Sequence, residues 1–494
     1  MNKKLFLSII TIFALTSCGD TGEYTLRTPL PSEGNNPSSV SPTSDTSGDI
    51  TPSSSPTPSP TEESIKDESV FDEPYLSKQY YLNRIGDIYR VWENYRGKGV
   101  TIAVIDSAFD PYHEDFTKLD GNSKISSKSA SFSYNGASVS KNVGISYVRD
   151  LSDSHGTFCA GVAGAALNHK GVIGIAPDAE LMLLKVDKKP KSICEAFKYA
   201  ADNGAKVITI SIGSYYNYYG DLINDGSDLS TVFNDSITYC RNKGVVVCSA
   251  AGNGGQSQPN EYTFPGAVNN VIGCGGLAFD DSYEIWSGSS YNSSSQYQFV
   301  DVFAPSENMF GICNYQKQGQ QVLYEGGWEG TSFSSPIVAG LAALYFEKYP
   351  NNSVLNFETA LFNSCHSITT SKIATANQLG YGRIDALKLM GISDELNVNI
   401  KVKSNLNNLY VYAWNNDLTL DKELTTWPGV KLTKENNYFS YTLKASTYDL
   451  FILNDGSNNN KSIGLLSSSF IDGYTYDISS LTKERSLIVG SFTK

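Results

Sequence analysis

Three apolar runs of strand length, residues 100–105, 207–212 and 245–249, lack the in/out alternation of a half-exposed strand. Runs of this kind belong to strands buried on both faces, and such strands occur in parallel sheets covered by helices. Segments of helical period alternate with them, the clearest being 155–167, 193–203, 232–243 and 331–349, several of them ending at glycine. The pattern predicts a doubly wound α/β domain, with its reactive groups at the carboxyl ends of the strands.

Three other regions differ in character. Met1-Asn2-Lys3-Lys4, an apolar run at 5–15 and Thr16-Ser17-Cys18 form a charged end, a short apolar core and a small-residue site. This is the order of an export signal. Leu15-Thr16-Ser17-Cys18 resembles the bacterial lipoprotein box, which implies lipidation at Cys18 and an extracytoplasmic protein anchored to a bacterial membrane by its lipid. No later run approaches the roughly 20 apolar residues of a transmembrane helix. Residues 19–72 are rich in Ser, Pro and Thr and read as a disordered tether, with an average end-to-end reach of about 40 Å. The globular α/β unit is expected over 73–391. Over 395–494, short strands rich in Tyr, Val and Leu alternate with Asn, Asp and Gly turns, which predicts a small β-sandwich.

With 494 residues and a formal net charge of −13, the chain has room for several domains and lacks the basic balance of a nucleic-acid binder. A monomer is expected. Beyond Cys18 there are seven cysteines, an odd number without zinc-ligand spacing. No full disulfide framework is expected, and Cys159, Cys248 and Cys274 sit among small apolar residues as buried filler.

The first strand runs into Asp106, which alone is equally a turn or helix cap. Ser154-His155-Gly156-Thr157 opens a helix of small residues, whereas His113, His169 and His366 read as surface or loop residues. The third strand runs into Ala250-Ala251-Gly252-Asn253-Gly254, where the Asn253 amide either makes a turn or donates to a developing oxyanion. Gly330-Thr331-Ser332-Phe333-Ser334 then places a hydroxyl at the start of an apolar helix. A serine hydroxyl attacks only when a base takes its proton and a third group fixes that base.

Taken together and in this order, these segments resemble the subtilisin-like serine proteases, the subtilases, over about 75–391. Gly174-Ile175-Ala176-Pro177-Asp178-Ala179 and Gly380-Tyr381-Gly382-Arg383 extend the resemblance. It implies a serine endopeptidase acting on protein or peptide, with Asp106 orienting, His155 as base and Ser332 as nucleophile. Asn253 and the Ser332 N–H would form the oxyanion hole. Ser211, Ile212 and Gly213 would bind substrate along one side, and Ala250, Ala251 and Gly252 along the other. Hydrolysis should fall as pH drops through about 6.5, because the base must be neutral. The chemistry needs no cofactor. Structural calcium is common in the family, but no ligand loop stands out and no metal site is assigned.

The sequence departs from the family at Asp106-Ser107-Ala108, at Ser154 and Phe158 around the histidine, and at Phe333 after the nucleophile; these changes are expected to alter the shape of the substrate site. No compact pro-domain is recognisable in the tether. At the far end, Tyr412, Trp414 and Trp427 are either sandwich core or a platform for sugar rings. The segment also resembles family-26-type starch-binding modules, which implies an α-glucan ligand.

Overall fold

The computed structural model describes residues 71–215, 229–255, 263–279, 284–292, 298–368, 374–392, 397–414, 426–444, 450–457, 460–462, 464–466, 475–479, 483–484, 487–488 and 490–493. The segment read as an export signal, Cys18 and nearly all of the expected tether lie outside these residues. Phe71, expected in the tether, packs its ring on Tyr89 and Trp92, and Glu73 is buried. The globular unit therefore takes in the end of the expected linker.

A nine-stranded sheet organises the larger unit. Across it lie Gly382–Arg383, Val302–Pro305, Ile272–Leu277, Val246–Ala250, Val207–Ile210, Thr101–Asp106, Glu180–Val186, Ala130–Tyr134 and Val139–Val143. Every neighbouring pair is parallel except the last. The central strands are buried on both sides, and successive residues feed opposite faces: Ile102 and Val104 join one apolar cluster, Ala103 and Ile105 the other. Helices Pro190–Asp202 and Leu229–Asn242 cover the second face. His155–Gly164 and Ser334–Lys348 cover the first, and both are buried almost all round. Apolar residues on every side of a helix fit a position inside a layered domain.

Small residues in His155–Gly164 allow it to lie close to its neighbours. A side chain at Gly156 would come within 2.3 Å of the Ala108 carbonyl, so the residue after the histidine has to be glycine for the helix to meet the strand exit. At the other end, the N–H groups of Gly174, Ile175 and Ala176 donate to the carbonyls of Ala165, Val162 and Ala163. These bonds satisfy terminal helix acceptors that would otherwise be left bare.

The C-terminal unit forms two facing sheets, one of five strands and one of four. Ile400, Val402, Val411, Ala413, Phe439, Leu443 and Phe451 fill the space between them. Strand Tyr410–Trp414 buries Val411 and Ala413 and leaves Tyr410, Tyr412 and Trp414 half-exposed. These aromatics are on the outer face and do not form the sandwich core, and Trp414 packs against the cluster of Tyr291, Ile368 and Leu379. No described helix is long and apolar enough to cross a membrane.

Candidate active site

Three adjacent strands end at one edge of the sheet. Thr101–Asp106 delivers Asp106, Val207–Ile210 leads into Ser211, and Val246–Ala250 leads to Asn253. The two buried helices of the first face bring His155 and Ser332 to the same edge. In an open parallel sheet this is where loops from different strands converge.

Asp106 is fully buried, and its Oδ2 lies 2.9 Å from His155 Nδ1. Its Oδ1 accepts from the Ser107 N–H at 2.7 Å. The pairing assigns the Nδ1 proton to the Asp106 side and leaves Nε2 as the basic nitrogen. Burial pulls the His155 pKa down, but the charge and hydrogen bond of Asp106 together hold it above the ordinary histidine value. The imidazole remains reachable, at 22% side-chain exposure.

Ser332 lies in the turn before its helix, which begins at Ser334 and not at Thr331 as the sequence suggested. Its Oγ donates to the Ser211 carbonyl at 3.3 Å, while Ser211 Oγ donates to the Ser332 carbonyl at 2.7 Å. The bond that the Ser332 hydroxyl makes here is therefore to a backbone carbonyl. Catalytic hydrogen bonds are often slack before substrate arrives.

The Asn253 amide is held by its oxygen. Oδ1 accepts from the Thr331 N–H at 3.0 Å and from Thr331 Oγ1 at 2.9 Å, which directs Nδ2 elsewhere. A Cβ at Gly330 would lie 3.4 Å from Asn253 Nδ2 and 3.7 Å from both Ser332 N and Ser332 Oγ. Two donors and the hydroxyl therefore surround one point, and Gly330, with φ +149°, leaves it open. The Ser332 N–H has no acceptor among the described residues. Such preorganised donors are suited to charge that develops on a carbonyl oxygen.

The residues expected to form the side walls differ in exposure. Ser211 is buried and turned to Ser332, Ile212 is half-buried, and Gly213 is exposed. Ala250 and Gly252 are half-exposed, but the Ala251 methyl is fully buried with Ala267 and Leu277 and cannot line a wall. His169 is exposed as expected; His113 and His366 are not surface residues. The His113 Nδ1 accepts from the Asp115 N–H, and His366 Nε2 pairs with Asp385 at 2.8 Å. His113 Nε2 also lies 3.1 Å from the Leu323 carbonyl, so each buried ring has a polar partner brought to it from another segment of the chain.

Two contributors escaped the sequence reading. Thr331 orients the oxyanion amide, although it stands inside the motif that was read. Cys159 was read as apolar filler, yet its Sγ donates to the Ser332 carbonyl at 3.4 Å, and burial pushes its thiol well above the usual range. All seven described cysteines are free. Asp106, His155 and Cys159 also form a possible three-ligand cluster, but its mixed N, S and O donors do not suit calcium, which takes oxygen ligands.

A buried aspartate, an imidazole, a hydroxyl and two converging donors on a doubly wound sheet define a serine hydrolase of the subtilisin type. The model of the subtilase family matches residues 97–382, more than half of the chain, so the chain belongs to that family and is a serine endopeptidase. Thermitase of Thermoactinomyces vulgaris is 29% identical over 325 residues, covering 64% of this chain and 98% of thermitase. A thermophilic serine proteinase of Bacillus sp. (strain AK1) is 32% identical over 302 residues, covering 60% of this chain and 63% of that protein. The crystal structure of fervidolysin from Fervidobacterium pennivorans shares the fold, with a TM-score of 0.52 at 18% identity, covering 80% of this chain and 58% of the other. The model of starch-binding module 26 matches residues 398–463.

Proposed function

We propose that Ser332 attacks the scissile carbonyl of a peptide bond while His155 Nε2 takes its proton and later gives it to the leaving amine. Asp106 holds the imidazole tautomer and stabilises the imidazolium. Asn253 Nδ2 and the Ser332 N–H bind the oxyanion. Ser211, Ile212 and Gly213 lie along one side of the substrate, with Ala250 and Gly252 opposite. No step passes through a metal or cofactor. The convergence of Asn253 Nδ2, Ser332 N and Ser332 Oγ on one point carries this reading, because it puts donors where the nucleophile creates charge.

The wider proposal is a monomeric enzyme, exported and held outside a bacterial membrane by a lipid on Cys18, with the 19–72 segment as tether. Its sandwich would bind a starch-like α-glucan through Tyr412, Trp414 and Trp427. In support, the three rings cluster, with centroids 5.6 Å apart for Tyr412 and Trp414 and 5.5 Å for Tyr412 and Trp427. Trp414 also packs against the peptidase-side cluster of Tyr291, Ile368 and Leu379, so Trp427, 37% exposed, presents the freest ring.

A fluorophosphonate probe tests the chemistry: the folded protein should be labelled, and Ser332→Ala should not. Equal labelling of both would remove Ser332 as nucleophile. Retention on insoluble starch by that same inactive variant tests the sandwich separately, and globomycin-sensitive processing with labelled palmitate incorporation tests Cys18.

A further inference from the structure

The hairpin Met309–Lys317 and Gln320–Trp328 leads directly into the loop that carries Ser332, and it also reaches the other two triad segments. Ile312 pairs with Tyr324 and Tyr315 with Val322, so the first strand carries one extra residue between these pairs. A bulge of this kind frees a backbone group from the ladder and re-aims a side chain. Asn314 lies in it, buried. Its N–H donates to Ser154 Oγ at 3.0 Å, its Nδ2 donates to Asp110 Oδ2 at 2.6 Å, and its Oδ1 accepts from Gln321 Nε2 at 3.0 Å.

Two of these partners, Ser154 and Asp110, stand next to the triad segments. Ser154 precedes His155 at the helix N-cap position, where serine ordinarily caps the helix with its own hydroxyl. Here it makes no side-chain cap bond, and its Oγ faces Asn314. Asp110 lies on the loop that leaves Asp106, and its N–H donates to Thr157 Oγ1 at 2.8 Å. One residue thus fastens the Asp106 loop, the turn that presents His155 and the hairpin that presents Ser332.

We propose that Asn314 is a positioning residue that sets the His155 imidazole against Asp106 by tying Ser154 and Asp110 to the hairpin. This rests on the reading of Asp106, His155 and Ser332 as the triad. Asn314 touches no reacting atom and acts through the two segments it joins. The charged groups that act on His155 are Asp106 and Asp153, which favour its protonated form, and Lys188, which opposes it; Asn314 changes none of these charges directly.

The test uses the full chain with a peptide substrate, measuring kcat, KM and the acid limb of kcat/KM for Asn314→Ala and Asp110→Asn. Small misplacements remote from the chemistry cost up to about a hundredfold, so Asn314→Ala should lower kcat by about tenfold to a hundredfold with KM within about twofold. Its acid limb should move down toward the ordinary histidine value as Asp106 and His155 drift apart. Asp110→Asn keeps an amide oxygen for Asn314 Nδ2 and should retain most of kcat. If Asn314→Ala does not fold, Ser154→Ala removes one bond alone and should show a smaller loss with the same downward limb. An unmoved acid limb in folded Asn314→Ala or, failing that, Ser154→Ala, or a kcat loss that vanishes well below the variant's melting temperature, would overturn the proposal. Absence of fluorophosphonate labelling in the unmutated protein would instead sink the triad itself.

Discussion

Each unit carries a cluster of three aromatic side chains, and the peptidase cluster buries two of its rings completely whereas the sandwich cluster buries none. Phe158 and Phe333 lie fully inside the peptidase unit with ring centroids 4.6 Å apart, and Trp328 stacks on Phe158 at 5.0 Å. Phe333 is 6.1 Å from the His155 ring. Tyr412, Trp414 and Trp427 stand on the outer face of the sandwich, half-exposed or exposed. The same residue types thus serve opposite ends. Rings without solvent contact hold the imidazole's surroundings rigid, whereas rings with an open face and a polar handle suit a ligand. The contrast also sharpens the family departures at Phe158 and Phe333: both are buried, Phe333 beside His155 and Phe158 against Phe333, and only the neighbouring Trp328 reaches solvent.

The largest expected difference between the triplets is in stability. Phe333→Ala should cost about 3 to 5 kcal/mol, as buried Phe to Ala changes do, and calorimetry should show the peptidase transition falling steeply. Trp427→Ala should leave that transition in place. A comparable fall for both would erase the distinction. Next, Asn253→Leu should lower kcat by about a hundredfold to a thousandfold while starch retention is unchanged, because the lost donor serves only the oxyanion. Smaller again, Trp427→Ala should weaken starch retention by about 2 kcal/mol, the scale of a contact hot spot, with peptide hydrolysis unaffected. Unaltered retention would move the glucan site away from this face.

The finest separation is by pH. His155 must be neutral to accept the Ser332 proton, and Asp106 raises its pKa, so hydrolysis should be lost as pH falls through a value above the ordinary 6.5. Starch retention, which uses no titrating group of this kind, should stay level from about pH 5 to 8. An acid limb below 6.5, with chemistry rate-limiting, would contradict the Asp106–His155 coupling.

Much of the peptidase unit was legible because its signals are contiguous. The strand ending at Asp106 was expected at 100–105 and lies at Thr101–Asp106, and the nucleophile helix was expected from 331 and starts at Ser334. Short apolar runs fix strand faces locally, while helix ends depend on caps and fray by a residue or two. The sandwich was legible as a class, and its exposed face was not, since alternation along 410–414 reads the same whichever side meets solvent. Nor did sequence place His113 and His366 inside, because their partners Leu323 and Asp385 are brought to them by folding.

The sequence alone pointed to the parallel sheet and, through four local segments in one order, to Asp106, His155, Asn253 and Ser332, although no one segment settled its residue by itself. Only the tertiary structure decided that Ala251 turns inward, that Ser332 rests against Ser211, that Thr331 holds the Asn253 amide and that Asn314 joins three segments. Those facts depend on burial and hydrogen bonds between groups from separate stretches of the chain. No local pattern encodes them, because a polar group takes whichever partner the packed core leaves within reach.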